Sequence, residues 1–360
     1  MKKIKINSKP KKGHIVLGSI TLVCALVVYV ICFSELTGVR YTKADNVAVS
    51  VGNVVERVLA PTFNAKEYDR KMELLANYAS TTATSTVRTW PAKAVYPNVG
   101  AILPDKRIIA YYGNFYSKKM GVLGEYPPEV MKKMLLAEVA AWDAIDPTTK
   151  AIPAINYIAS TAQLSPGKEG LYTLRMPDTE IDKAVQLAKE VNGIVILDVQ
   201  VGLSTLQKEL PYLDAYLQMP EVHLALDPEF SMKGGDKPGT VIGTFDATDI
   251  NYAAQYLANI VREHNLPPKV LIVHRFTHNM LTRTSLIEPL PEVQIVIDMD
   301  GWGDPAKKLN TYKKVVVSEP VQFTGFKIFY KNDLKPPSTR LLTPRDLLNL
   351  TPRPSFIQYQ

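Results

Sequence analysis

Short apolar runs that end abruptly in carboxylates or other polar groups recur along this 360-residue chain. VHLALDPEF, residues 222–230, carries the pattern most plainly. In an extended strand His223, Ala225 and Asp227 share one face, and Val222, Leu224 and Leu226 share the other. Two mostly apolar faces suit a parallel strand covered on both sides, with its polar C-terminal end opening onto a cleft. GIVILDVQ (193–200), KVLIVHRF (269–276) and VQIVIDMDGWG (293–303) repeat the design.

Eight stretches read as strands: 107–114, 151–160, 193–200, 222–227, 240–247, 269–275, 293–298 and 323–330. Between them lie helical stripes, the clearest being Ile250, Ala253, Ala254, Leu257, Ile260 and Val261. Two others are Ile181, Ala184, Val185, Ala188 and Val191, and Leu203, Leu206, Leu210, Leu213 and Leu217. Strands alternating with helices predict an α/β fold, and eight of them fit a (β/α)8 TIM-type barrel. A doubly wound open sheet is the rival. It calls for a Gly-rich phosphate loop after its first strand, and Gly113, Gly121 and Gly124 lack the G-x-G-x-x-G spacing. The Pro-rich end of the chain reads as a short helix, capped by Thr343 with Pro344 at its first position, followed by a tail over the barrel's end.

The N-terminus changes the picture. Residues 15–33, IVLGSITLVCALVVYVICF, are uncharged and just long enough to span a bilayer. Lys2, Lys3, Lys5, Lys9, Lys11 and Lys12 precede them, which predicts a cytoplasmic N-terminus and an extracytoplasmic barrel. The run exceeds a typical signal-peptide core and no A-x-A-like site follows it, so a retained single-pass anchor in the cell membrane is expected rather than a cleaved leader. Those six lysines also account for most of the formal charge of +7, so a nucleic-acid partner has no electrostatic support. Cys24 and Cys32, the only cysteines, both fall within the apolar run. The expected organisation is a basic tail (1–14), a transmembrane helix (15–33), a juxtamembrane part (34–89) and a barrel domain (90–360). The juxtamembrane part contains a strand or short helix over 46–60, a helix over 65–78 and the Ser/Thr-rich run 79–87.

Side chains at the C-terminal ends of barrel strands converge on one mouth, and that is where chemistry is expected. The strand ends supply Tyr111, Tyr112, Asn156, Asp198, Gln200, Asp227, Glu229, Asp246, His274, Asp298, Asp300 and Lys327, with Trp302 close by. If the strand continues through Pro228, Asp227 and Glu229 point the same way with Cα atoms about 6–7 Å apart. Two carboxylates so placed can divide the work of glycoside hydrolysis. Aromatic faces in a polar cleft suit sugar rings. The five histidines show neither H-x-x-H nor H-E-x-x-H spacing, so neither metal nor cofactor is expected.

Acidic strand ends, an N-terminal anchor, YYG at the first strand and NGIVILDVQ at the third resemble secreted glycoside-hydrolase-like barrels, including membrane-anchored envelope proteins of bacteria. The resemblance covers about residues 90–360. It implies a polysaccharide or cell-wall glycan partner. Compared with the chitinase-type D-G-x-D-x-D-x-E strand, Asn192-Gly193 opens a similar strand here, and Gln200 falls where that family has its acid. A glutamine has no proton to give, so catalysis would pass to Glu229, with Asp227 or Asp198 as partner carboxylate. Tyr111, Tyr112, Asn156, Gln200, His274, Asp298, Asp300, Trp302 and Lys327 are then candidates for substrate binding. The alternatives are a non-catalytic glycan-binding or scaffold protein, and a metal-dependent hydrolase using Asp198, Asp227, His274 and Asp298.

Overall fold

A computed structural model of the chain describes residues 48–51, 54–57, 62–78 and 88–360. The basic tail, the apolar run 15–33 and the Ser/Thr-rich run 79–87 lie outside the described residues. Among the described residues no helix is long and apolar enough to cross a membrane. The chain divides into two compact units, 1–61 and 62–360. In the first, Ala48–Val51 pairs antiparallel with Val54–Arg57, so the described residues of this region form a strand pair.

The second unit is a closed parallel barrel of eight strands. They are β1 (Lys106–Gly113), β2 (Lys150–Ala162), β3 (Ile194–Val199), β4 (Val222–Leu226), β5 (Lys269–Arg275), β6 (Val293–Met299), β7 (Phe323–Ile328) and β8 (Phe356–Tyr359). Each pairs in parallel with the next, and β8 closes the ring against β1 through Phe356↔Ile108 to Tyr359↔Tyr111. The helices that cover it include α2 (Pro128–Ile145), α3 (Asp178–Glu190), α4 (Ala247–His264) and α5 (Pro305–Thr311).

Two strand expectations fail. Residues 240–247 do not enter the barrel; only Phe245–Asp246 is extended there, paired with Leu281–Thr282. Local polar chemistry overrides the apolar pattern. Asp246 accepts from the Thr248 amide while Asp249 accepts from the Asp246 amide at 2.8 Å, a reciprocal cap that starts α4. The eighth strand is instead Phe356–Tyr359, in the segment expected to be only a tail; the Thr343-capped helix before it is present as Pro344–Leu348. The leucine stripe 203–217 also breaks into short helical turns, although Leu206, Leu210, Leu213 and Leu217 are all buried.

Alternation sorts the side chains into two cores. Outward residues such as Ile109, Val195, Leu197, Leu224 and Leu271 pack under the helices. Inward residues Ile108, Ala110, Ala154, Ile196, Ala225, Val270, Ile272, Val296, Phe323 and Phe356 fill the barrel's lower part. Helix α1 (Ala65–Ala76) belongs to this inner core, closing the base with Met72 and Leu75. Asn64 caps its start, and the left-handed Asn77 ends it and donates to the Leu350 carbonyl at 2.7 Å. Burying two such side chains stabilises the unit by roughly 1.5–3 kcal/mol each.

Candidate active site

Toward the C-terminal ends of the strands the inward face changes character, at the next inward positions beyond the apolar ones. Tyr112 on β1, Asn156 on β2, Asp198 on β3, His274 on β5, Asp298 on β6, Lys327 on β7 and Gln358 on β8 are all buried. Just beyond β3, β4 and β6 come Gln200, Asp227 with Glu229, and Asp300. They meet at a cleft of about 490 Å³ lined by Tyr112, Gln200, Asp227, Glu229, Phe230, Asp300, Trp302 and Lys327 among others.

His274 is the hub beneath it. Its Nε2 lies 2.8 Å from Asp198 Oδ2, and its Nδ1 lies 3.1 Å from Asp298 Oδ2 and 3.4 Å from Asp300 Oδ2. Burial alone would push the imidazole down, but Asp198, Asp298 and Asp300 together reverse that and hold it well above its ordinary value. With carboxylate oxygens facing both nitrogens, the geometry favours the doubly protonated ring. Gly325 makes the arrangement possible, because a Cβ there would sit 2.5 Å from Asp298 Oδ1. Lys327 Nζ continues the chain, 3.0 Å from Asp300 Oδ1 and 3.9 Å from the centre of the Tyr112 ring.

Asp227 and Glu229 reach the cleft by a different route from the one the strand pattern suggests. Strand β4 stops at Leu226, and Pro228 opens a 3₁₀ turn in which Asp227 Oδ1 accepts from the Glu229 amide at 3.2 Å. The spacing of a continuing strand does not apply to the pair. Gln200 Nε2 donates to the other oxygen, Asp227 Oδ2, at 3.2 Å. Gln200 is itself fixed, since its Oε1 accepts from the Ala162 amide at 3.0 Å. The turn is backed by Gly243, whose amide donates to the Glu229 carbonyl at 2.6 Å. Any side chain at Gly243 would strike the Pro228 and Ser231 backbone 2.6 Å away. Burial pushes Asp227 well up, with Asp198, Asp300 and Glu229 adding to it and His274 opposing. Burial and Asp300 likewise raise Glu229, against Lys327 and His274.

The remaining expected residues separate cleanly. Asp198, His274 and Asp298 lie under the cleft and not on its wall. Asn156 sits inside the barrel, accepting from Gln358 Nε2 at 2.8 Å. Tyr111 faces outward into the helix-covered core, its hydroxyl 3.1 Å from that of Tyr330. Trp302 is on the rim, about half exposed, with Lys307 Nζ 4.9 Å and Lys335 Nζ 5.1 Å from its ring centre. Its ring therefore already holds two ammonium groups. Lys119, Phe276, Lys307 and Phe329 also line the cleft; Phe276 and Phe329 close the apolar runs 269–276 and 323–330, whereas Lys119 in a loop and Lys307 on α5 are not marked by that pattern. For a metal, both nitrogens of His274 are taken up by carboxylates, and among the described residues no group of three or more His, Cys, Asp or Glu side chains is arranged to hold an ion.

No family profile matches the chain, and neither does any curated protein. Solved structures similar to it include the following two. One is a cellulase, 13% identical with a TM-score of 0.36, covering 61% of this chain and 65% of its own. The other is a ruminal GH26 endo-beta-1,4-mannanase, 12% identical with a TM-score of 0.33, covering 71% of this chain and 59% of its own. The chain thus spans less than two thirds of the length of each. The likeness is loose, and the barrel assignment rests on the strand order described above.

Proposed function

We propose that the cleft is a glycan site, and that the chain acts on or binds polysaccharide with Glu229 as proton donor and Asp227 as its partner carboxylate. The observation that carries this reading is the pairing of two raised carboxyls in one open cleft at the barrel's mouth. Burial and the neighbouring carboxylates make each of them hold a proton more readily than a free carboxyl. Asp227 accepts from two donors, Gln200 Nε2 and the Glu229 amide, which favour its anionic form against the burial that raises it, as a partner beside a developing oxocarbenium ion requires. Glu229 is bonded in the structure through its backbone, leaving its carboxyl to hand a proton to a leaving-group oxygen. Asp198 is then a support for His274 and not the partner carboxylate.

The apolar run 15–33 behind six lysines supports placing this barrel outside the membrane on a retained anchor, where cell-envelope polysaccharide is the substrate at hand. One observation favours a second reading, binding without turnover: Gln200, which has no proton to transfer, occupies the position facing Asp227.

A screen of the full-length chain on envelope glycans, repeated with Glu229→Gln and Asp227→Asn, tests this. Glu229→Gln keeps shape and removes the proton, so turnover falls by roughly 10²–10⁴ while binding persists. Equal turnover in wild type and Glu229→Gln would sink the assignment, and binding without turnover in all three moves the protein to the non-catalytic class.

A further inference from the structure

The cleft is polarised in charge across the barrel axis. Asp227 and Glu229 enter from the loop after β4, which in a ring of eight stands opposite β8. The lysines enter from the other side: Lys119 from the loop after β1, Lys307 from α5 after β6, and Lys327 from β7, with Lys335 just outside the lining beyond β7. They differ in how they are neutralised. Lys327 pairs with Asp300 at 3.0 Å, and the adjacent buried Lys308 pairs with Asp333 at 2.7 Å. Lys119, Lys307 and Lys335 carry no such pairing among the described residues, and the last two rest on the Trp302 ring instead.

Like charges gathered on one rim repel each other unless something anionic joins them, and a focused positive rim raises the local concentration of anionic ligands. Trp302 sharpens the point. With two ammonium groups over its ring it presents charge to the cleft and not a bare stacking face.

We propose that the glycan taken by this cleft is acidic, its carboxylate or phosphate groups held by Lys119 and Lys307 while the sugar ring faces Asp227 and Glu229. This rests on the glycan reading above and deepens it to a substrate class. A neutral chain of cellulose or mannan type would leave these lysines without a role.

The test is calorimetric titration of the full-length chain with acidic oligosaccharides of galacturonate, mannuronate and hyaluronan, each against its uncharged methyl ester. A phosphodiester-linked glycerol chain, against uncharged polyglycerol, separates phosphate from carboxylate as the anion. At least one acidic ligand should bind tenfold or more tighter than its neutral counterpart. In Lys119→Gln/Lys307→Gln that preference should shrink, by roughly three- to fivefold per exposed lysine, and it should also fall with added salt. Circular dichroism of the double variant checks that it is folded, and the single variants repeat the measurement if it is not. Methyl esters binding as well as the acids, or a preference unchanged in folded variants, would overturn the acidic class while leaving the glycan reading intact. Absence of binding by every saccharide overturns both, and polyglutamate binding more tightly than any of them would point to an acidic peptide in their place.

Discussion

His223 and His274 stand on the neighbouring strands β4 and β5, and both are buried on the barrel's inner face, yet their basicities are shifted in opposite directions. His223 is at the base, among the aliphatic inner core. Its Nδ1 accepts from the Val270 amide at 3.0 Å, which requires that nitrogen to be unprotonated, and burial with Lys269 nearby pushes its basicity well down. His274 is at the mouth, with carboxylates at both nitrogens that hold it toward its charged form. One fold thus draws one residue type toward a neutral wall group at one end and toward a buried cation at the other. The difference lies in the company each keeps: the base is built for burial and is closed by α1, and that stability supports a mouth crowded with groups that oppose folding when left unpaired.

The largest expected effect comes from breaking the mouth. Replacing His274 with Gln removes the positive charge between Asp198 and Asp298, both fully buried, and unbalances carboxylates that cannot reach water. Loss of one partner of a buried pair costs about 3–5 kcal/mol, to be read by chemical denaturation of the full-length chain. The pH dependence identifies the cause. A folded value raised above the ordinary 6.5 gives a contribution fully present below that pH and lost as pH rises through the higher folded value. Asp227, also raised, acts in the same direction. Wild type should therefore weaken toward alkaline pH, and His274→Gln should be low throughout with a flatter alkaline limb. Wild-type-like stability in His274→Gln would refute the imidazolium.

At the base, Leu75→Ala on α1 should cost about 2–3 kcal/mol by emptying part of the inner core, with no pH signature. The mouth lies at the other end, so glycan binding should survive it. If Leu75→Ala leaves the melting temperature unchanged, α1 does not close the barrel. The same packing argues that a fragment beginning at residue 90 exposes the inner core, whereas one beginning at residue 62 keeps it covered.

Much of this contrast is legible in the residues themselves. Inward alternation of His223, Ala225 and Asp227 follows from the two-residue period, and so does the convergence of Asp198, Asp227, His274, Asp298 and Lys327, because parallel strands must end together. Tyr111 was misplaced by one residue of the same period: beside the inward Tyr112, it has to face out. The eighth strand stayed hidden because Phe356–Tyr359 is four residues long and follows a run of prolines. The rim lysines carry no apolar signal, since Lys119 and Lys335 lie in loops and Lys307 on the exposed side of α5. Helix α1 read correctly as a helix, but the apolar spacing of Met72 and Leu75 does not say which surface they cover.

The smallest expected effect turns the comparison around, at a carboxylate on the mouth side that stabilises instead of opposing folding. Asp246 read as a strand-end candidate, and it proves to be the cap of α4. Its carboxylate accepts from the Thr248 amide at 2.8 Å and is paired with Arg283, also at 2.8 Å. The bonds from Thr248 lead the causes that lower it to about 2, burial opposing them. A depressed carboxyl contributes stability above its ordinary value of 3.8 that disappears as pH falls through about 2, the reverse of Asp227. Asp246→Ala should cost about 1 kcal/mol, the usual worth of a helix cap. Asp246→Asn keeps the amide acceptor and should recover most of it, at the expense of the Arg283 pair. Measured from pH 7 down to pH 3, the gap between wild type and Asp246→Ala should narrow with acid. A gap that widens instead would mean that Asp246 shares the burden of the buried carboxylates and belongs with them, not with the helix it precedes.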